Sequence, residues 1–395
     1  MKKIILINCY FGKFPWYFNL FLKSCSYNIT VDFIIFSDNK TAYSLPKNVK
    51  IIPFTIEAFN QLATQKLVLG ISVKSAYKLC DFKPAYGVIF QEYIKGYDFW
   101  GMTDIDIIFG RIREFMTHKL LETYDVISVR NDYPTGSFML FKNDQTANNL
   151  FKKSKDYKKV FLSDTHYCFD ECNFKHYFLQ EGGDIFDIDC EIETMHHVIK
   201  KAQIGGNLKA HFDFLVIEGL PGQLKWEKGF LSFKNEFEVL LHHLILYKTN
   251  KYTRKVELKT VPDTFYIDKY LIRQNELTSI KGFFSNLFYN KMLPSFYKLF
   301  FKVDYYFSIK FNVHVKNIKS KIFSLNGLQM EILKNSDNEN FISVPRSKFK
   351  GKIIKSIFDG NCFFIAHSPL TKYCYTEELN QLKQYRLNGN TQTFK

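Results

Sequence analysis

Long apolar runs are missing from this chain. No stretch approaches the roughly 18–20 residues that a membrane-spanning helix needs, so none is expected. The opening, Met1-Lys2-Lys3-Ile4-Ile5-Leu6-Ile7-Asn8, is basic and then apolar, like a signal peptide. Its apolar part is too short, and no small-residue cleavage site follows, so it reads as a first buried strand in a cytoplasmic protein. Acidic residues are in deficit, with Asp+Glu 39 against Lys+Arg 54 and a net charge of +15. That balance favours a polyanionic neighbour: nucleic acid, an anionic membrane surface or a phosphorylated substrate. Internal repeats and low-complexity tracts are absent. So is any recognisable RNA or DNA motif, and nucleic acid is not expected as the partner. Closely spaced cysteine pairs of the Cys-x2-Cys kind are also lacking. The eight cysteines are scattered, and in a reducing compartment they should be free thiols.

What is present is a large apolar fraction, 46% of 395 residues, with 42 Phe and 24 Tyr. This is enough to bury a sizeable core and excludes wholesale disorder. At roughly 150 residues per domain, the length suggests one large domain with a smaller second one, or two to three modest ones.

Strand and helix signals alternate through the first half. Ile4–Asn8, Asp32–Phe36, Val49–Pro53 and Tyr97–Met102 read as buried strands. Pro15–Ser24, Thr55–Gly70 and Pro84–Lys95 read as helices. This pattern predicts an α/β fold with a mostly parallel sheet, whose ligand sits beyond the carboxyl ends of the strands. Further strands are expected at Asp125–Val129, Gly136–Phe141, Gly182–Ile188 and Phe212–Ile217. A hairpin is expected around Glu227-Lys228-Gly229 and a helix over Glu236–Tyr247.

After about residue 275 the composition changes. Residues 276–321 hold eight Lys against two acids, with twelve Phe/Tyr interleaved. Such a segment suits either a basic amphipathic helix on a lipid headgroup layer or a helix packing its aromatics on the preceding domain. Residues 322–395 carry weak strand signals and no assignable role. The expected organisation is therefore a catalytic domain over 1–275, a basic aromatic helical extension over 276–321 and a C-terminal extension over 322–395.

The richest stretch is Tyr97-Asp98-Phe99-Trp100-Gly101-Met102-Thr103-Asp104-Ile105-Asp106-Ile107-Ile108-Phe109. An apolar strand runs directly into Asp104-Ile105-Asp106, and apolar residues resume at once. On extended backbone, carboxylates two residues apart point to the same side. Held among apolar neighbours they repel, and stay ionised only beside a cation. Hard oxygen donors select Mg²⁺ or Mn²⁺, which also take substrate phosphates as ligands. A surface turn with two solvated acids is the alternative for a bare Asp-x-Asp.

Lys78-Leu79-Cys80-Asp81-Phe82-Lys83-Pro84-Ala85-Tyr86-Gly87, then Gly96 to Gly101, then Asp104-Ile105-Asp106 together resemble a family of bacterial GT-A-type glycosyltransferases. That family accompanies capsule, O-antigen and other surface-polysaccharide genes. Asn8–Pro15 and Phe169-Asp170-Glu171 fit it too, and the resemblance covers roughly residues 1–250. It implies a Rossmann-like, mostly parallel mixed sheet flanked by helices. It also implies a hexosyl-type transferase that takes a sugar from a nucleotide donor, most often UDP-linked, to a glycan or lipid-linked glycan.

Carried over residue by residue, the resemblance assigns the nucleotide to Tyr10, Phe11, Gly12 and Asp38, with an ordinary turn as the alternative for Asp38. Lys78, Asp81 and Lys83, just before an expected helix start at Pro84, are donor-binding candidates; a helix cap with two solvated lysines is the alternative. Asp104 and Asp106 carry the metal and diphosphate, with His243, or else its neighbour His242, as the third ligand; a buried or surface histidine with no ligand role is the alternative for either. Asp170, with Glu171 second, is the general-base candidate if the enzyme inverts. Thr135, Gly136 and Ser137 would line the acceptor pocket, the glycine letting a sugar come close. His166, Cys168, Cys172 and His176 form a weaker zinc-like spacing, for which thiols packed in a core are the favoured reading. Two other functions compete. One is a nucleotidyltransferase acting on a sugar phosphate, which uses similar paired acids. The other is a non-enzymatic basic protein that binds membrane or nucleic acid.

Overall fold

The computed structural model describes residues 1–235, 237–250, 252–275, 283–284, 286–292 and 295, and the backbone of eight strands between 321 and 394. Two compact units divide the chain, and the boundary between them falls between Asp213 and Phe214.

The first unit is an α/β layer structure. Its strands are β1 (Ile4–Cys9), β2 (Val31–Ser37), β3 (Val49–Pro53), β4 (Phe99–Thr103), β5 (Ile107–Phe109), β6 (Val126–Ser128), β7 (Phe138–Lys142) and β8 (Ala210–Phe212). Seven of them form one sheet in the order β3-β2-β1-β4-β7-β6-β8. Strands β3, β2, β1 and β4 are mutually parallel, and β6 pairs parallel with β8. Only β7 is reversed, antiparallel to both β4 and β6. This is the mostly parallel mixed sheet that the alternating signals predict.

Helices cover the sheet because its strands are apolar on both faces. Helix α1 (Phe18–Ser26) buries Phe18, Leu20, Phe21, Leu22 and Cys25. Helix α2 (Ile56–Leu67) buries Phe59, Ala63 and Leu67, an i, i+4, i+8 stripe. Its start is set by Thr55, whose hydroxyl accepts from the Ala58 N–H at 3.2 Å. On one sheet face Ile5, Ile7, Trp100, Met102 and Phe141 pack with Phe59, Phe82 and Phe90. Trp100 stacks on Phe141 with ring centroids 4.6 Å apart. A Cβ on Gly87 would fall 2.6 Å from the Trp100 indole, and one on Gly101 would fall 2.6 Å from Leu140. These two glycines of the family-like motif are therefore packing positions.

Three local expectations are overturned. Lys78–Lys83 do not precede a helix start at Pro84. They lie inside a 3-10 helix, Ala76–Ala85, with a short α-helix Tyr86–Ile89 after it. Gly182–Ile188 is not a strand. Asp184 caps a 3-10 turn over Ile185–Asp187, its side chain accepting from the Phe186 N–H at 3.0 Å. Glu236–Tyr247 is not one helix but strands Phe237–Glu238 and Leu241–His243 followed by a short helix Ile245–Thr249. Short apolar runs do not reveal which of the two a segment becomes, and pairing partners decide.

The second unit contains a five-stranded antiparallel sheet. Its hairpin Leu224–Glu227/Phe230–Phe233 turns at Lys228-Gly229, both at positive φ (47° and 88°). That is the primed turn that a tight hairpin needs, as expected at this site. Leu241–His243 pairs parallel with Val216–Ile217. Eight further strands, from Lys321–Leu325 to Thr391–Phe394, pair in sequential order as antiparallel neighbours. Most of the basic aromatic segment 276–321 lies outside the described residues. Among the described residues no helix is long and apolar enough to cross a membrane.

Candidate active site

The parallel strands β1, β2 and β4 end at one rim of the sheet, and the sequence singles out the residues that follow each of them. After β4 the chain enters Asp104-Ile105-Asp106, with Asp106 only 4% exposed. Because β7 is reversed, its amino end meets the carboxyl end of β4, with Phe138 opposite Thr103. The Thr135–Ser137 segment therefore arrives beside Asp104, whose N–H donates to the Ser137 carbonyl at 3.3 Å.

Lys83 joins these two segments. Its ammonium donates to Asp104 Oδ1 at 2.6 Å and to the Gly136 carbonyl at 2.9 Å. Burial alone would depress its pKa, but the Asp104 carboxylate, with help from Cys80 and Asp170, pushes it well up. The lysine is thus a fixed cation at the rim.

Asp170 and Glu171 lie on the other side of Gly136. A Cβ on Gly136 would sit 2.0 Å from Asp170 Oδ2 and 3.4 Å from Lys83 Nζ. The missing side chain makes room for the Asp170 carboxylate, where the sequence suggested room for a sugar. The Gly136 N–H donates to Glu171 Oε1 at 2.8 Å, and the Thr135 hydroxyl approaches the same oxygen at 3.2 Å. Glu171 Oε2 is 2.6 Å from His176 Nε2.

The two neighbouring carboxyls have opposed tendencies. Burial and the adjacent Glu171 charge hold the Asp170 pKa well above the usual carboxylate range, with Lys83 opposing. Glu171 is also penalised by burial, but the His176 imidazole and the Gly136 N–H outweigh this and lower its pKa. Adjacent groups driven apart in this way are a recurring acid–base arrangement.

The loop that carries them is strained. Cys168, Asn173 and Phe174 all adopt positive φ (53°, 52° and 60°). Asp81 anchors it, accepting from the Tyr167 N–H at 2.9 Å and the Phe169 N–H at 2.8 Å. Lys78 completes the anchor, its ammonium donating to Asp81 Oδ2 (2.7 Å), the Val160 carbonyl (2.7 Å) and the Thr165 carbonyl (2.6 Å). All three of its N–H bonds are engaged, and both residues are at most 2% exposed. The expected donor-binding role of Lys78 and Asp81 gives way to that of a buried strut. Lys83 alone of the three reaches the rim.

At the β1 end, Gly12 has φ +94°, and open space surrounds the position a Cβ would take. Its backbone conformation accounts for the glycine. The Gly12 N–H donates to Asp38 Oδ1 at 2.6 Å, so Asp38, itself exposed, ties the β1 loop to the end of β2. Tyr10 stacks on Phe14 at 5.4 Å, and Phe11 is half-buried. Thr135 and Ser137 are 2% exposed, with their hydroxyls 2.9 Å apart. They brace the Gly136 turn and present no open hydroxyl to an acceptor.

His242 and His243 belong to a strand, so they point to opposite faces. His242 is fully buried, with its pKa lowered to about 4 by desolvation. His243 Nδ1 lies 2.8 Å from Glu218 Oε1. Of the zinc-like spacing, two residues have other partners: His166 Nδ1 sits 3.1 Å from Asp81 Oδ1, and Cys172 packs in the core with Tyr133, Leu179 and Ile185.

Two neighbours escaped the sequence reading. Tyr17 is buried, and its pKa is raised by burial and then by the charges of Asp106, Tyr10 and Asp104. Arg130, in the loop after β6, grips Asp132 with two nitrogens at 2.8 and 2.5 Å. Neither lies in a motif, and only the order of the strands brings them to the rim. A surface depression of about 400 Å³ lined by Lys3, Thr30, Asp32 and Tyr97 lies at the opposite, amino end of the strands.

No curated protein sequence matches the chain. Among solved structures, the crystal structure of mouse xyloside xylosyltransferase 1 in its apo form matches at 10% identity, covering 54% of this chain and 87% of that one. The TM-score is 0.29, too loose a superposition to support an inference. A family model for a family of unknown function, DUF6625, matches residues 6–281 and so spans the whole α/β unit except its first residues. The chain belongs to the DUF6625 family.

Proposed function

We propose that the chain is a metal-dependent glycosyltransferase, moving a sugar from a nucleotide-sugar, UDP-linked for preference, to a hydroxyl of a glycan or lipid-linked glycan. The observation that carries this reading is the Lys83 ammonium joining Asp104 Oδ1 to the Gly136 carbonyl, with buried Asp170 against Gly136. It sets a fixed cation, paired carboxylates and a carboxyl of raised pKa at the carboxyl ends of parallel strands, where such sheets bind ligands.

Each group has a role in this reading. Tyr10, Phe11, Gly12 and Asp38 receive the nucleotide. Asp104 and Asp106 hold Mn²⁺ or Mg²⁺; the paired carboxylates are the hard donor set those ions prefer. The ion's contribution is neutralisation of the departing diphosphate. Lys83 adds a second positive charge there. Asp170, or Glu171 beside it, takes the proton of the acceptor hydroxyl as the new glycosidic bond forms. Capsule or O-antigen synthesis at an anionic inner-membrane surface is the proposed setting.

The test is a thermal-shift screen of nucleotide-sugars with Mn²⁺, followed by product analysis of the stabilising donor. A true donor at 100 times its Kd adds about 2.7 kcal/mol to apparent stability. Asp106→Asn should keep the fold by circular dichroism and lose at least about 100-fold in transfer. Full transfer by that variant would refute the metal assignment. Pyrophosphate release from a nucleoside triphosphate and a sugar phosphate would identify a nucleotidyltransferase instead.

A further inference from the structure

A second cluster of donor atoms sits on the strained loop, apart from the paired aspartates. Cys168 Sγ lies 3.5 Å from Glu171 Oε2 and 3.7 Å from His176 Nε2, and those two are 2.6 Å apart. We propose that Cys168, Glu171 and His176 form a binding site for one thiophilic divalent cation, Zn²⁺ by donor preference, with an open fourth position.

The spacing fits a tetrahedral ion. Bond lengths of roughly 2.0–2.3 Å put neighbouring ligand atoms about 3.3–3.7 Å apart. Both sulfur separations already meet this. The Glu171–His176 pair needs to open by about 0.8 Å, which follows when the ion replaces the proton they share.

The chemistry of the donors separates this site from the aspartate pair. Thiolate and imidazole favour Zn²⁺, whereas two carboxylates favour Mn²⁺ or Mg²⁺. Outer partners are also in place. Glu171 Oε1 is held by the Gly136 N–H and the Thr135 hydroxyl, which leaves Oε2 for the ion.

Access comes from one side. Cys168 is 4% exposed, while the Glu171 and His176 side chains are 19% and 32% exposed. The open position therefore faces outward past His176. Once bound, the ion would pin the Asp170–Glu171 loop to the helix His176–Gln180, in place of the imidazole–carboxyl contact that joins them now.

The experiment uses Co²⁺ as a spectroscopic stand-in on the full-length protein, because thiolate-to-cobalt charge transfer is silent at an all-carboxylate site. The wild type should develop this band at one equivalent of Co²⁺, and Zn²⁺ should bleach it. Cys168→Ser should lose the band, and Cys172→Ser should keep it. His176→Gln, which retains the thiol, should weaken Co²⁺ binding at least tenfold. Zn²⁺ should raise the thermal midpoint of wild type but not of His176→Gln. Absence of the band in wild type, or its persistence in Cys168→Ser, would overturn the site. Should Cys168→Ser fail to fold, unchanged Co²⁺ affinity in His176→Gln would do the same.

Discussion

Gly136→Ala is a sharp probe of the rim because its effect depends on one neighbour. The added methyl would lie 2.0 Å from Asp170 Oδ2 and 3.1 Å from its Cγ. Ordinary carbon–oxygen contact is near 3.4 Å, so the carboxyl has to move by more than about 1 Å. Asp170 is 3% exposed and has a short side chain, so it has little room to swing. Overpacking of this kind costs about 1–3 kcal/mol. A catalytic group displaced by about 1 Å loses on the order of 100-fold in rate. The decisive measurement is a double-mutant cycle in urea with Gly136→Ala, Asp170→Ala and the pair. If the clash is with Asp170, the methyl should cost about 1–3 kcal/mol in wild type and near zero once the carboxyl is gone. An equal cost in both backgrounds would show that the methyl meets something else, and the proposed juxtaposition of Gly136 and Asp170 would be wrong.

Lys78→Met should destabilise the protein by about 3–5 kcal/mol in chemical denaturation, because it takes the ammonium away from the buried Asp81 carboxylate and leaves it to His166 and two backbone N–H groups; a loss under 1 kcal/mol would contradict the strut. The pH dependence has a definite sign. Asp170 has its folded pKa raised, so its contribution to stability is complete below the unfolded carboxylate pKa and is lost as pH rises through the folded value. Asp81 has a lowered pKa, set by burial opposed and overcome by His166 and Lys78, so its contribution is lost as pH falls below the ordinary range. Denaturation midpoints measured across pH should show Asp170→Asn removing the loss on the alkaline side only; an unchanged alkaline slope would count against the raised pKa.

The sheet was legible because each strand is a compact apolar run and each turn carries polar residues, as in Ile4–Cys9 followed by the loop at Gly12. Asp104 and Asp106 were legible for a similar reason, since acids bounded by apolar residues on both sides stand out locally. Lys78 and Asp81 misled because their partners are remote. Asp81 meets the N–H groups of residues 86 and 88 positions away. Gly136 was noticed, but what fills the space beside it depends on Asp170, which only the folded loop supplies. His242 and His243 lie in an apolar run compatible with helix or strand, and pairing with Val216–Ile217 decides.

The single reversed strand, β7, has a wider implication. In a sheet running all one way, every connection at the ligand-bearing rim is an exit, so nothing threads inward there. One strand of opposite sense adds an inbound path, and Arg130 through Ser137 occupy it. Relatives of this chain can lengthen or redraw that inbound path without shifting the outbound turn that holds Asp104 and Asp106. The two sides of the rim can then change independently of each other.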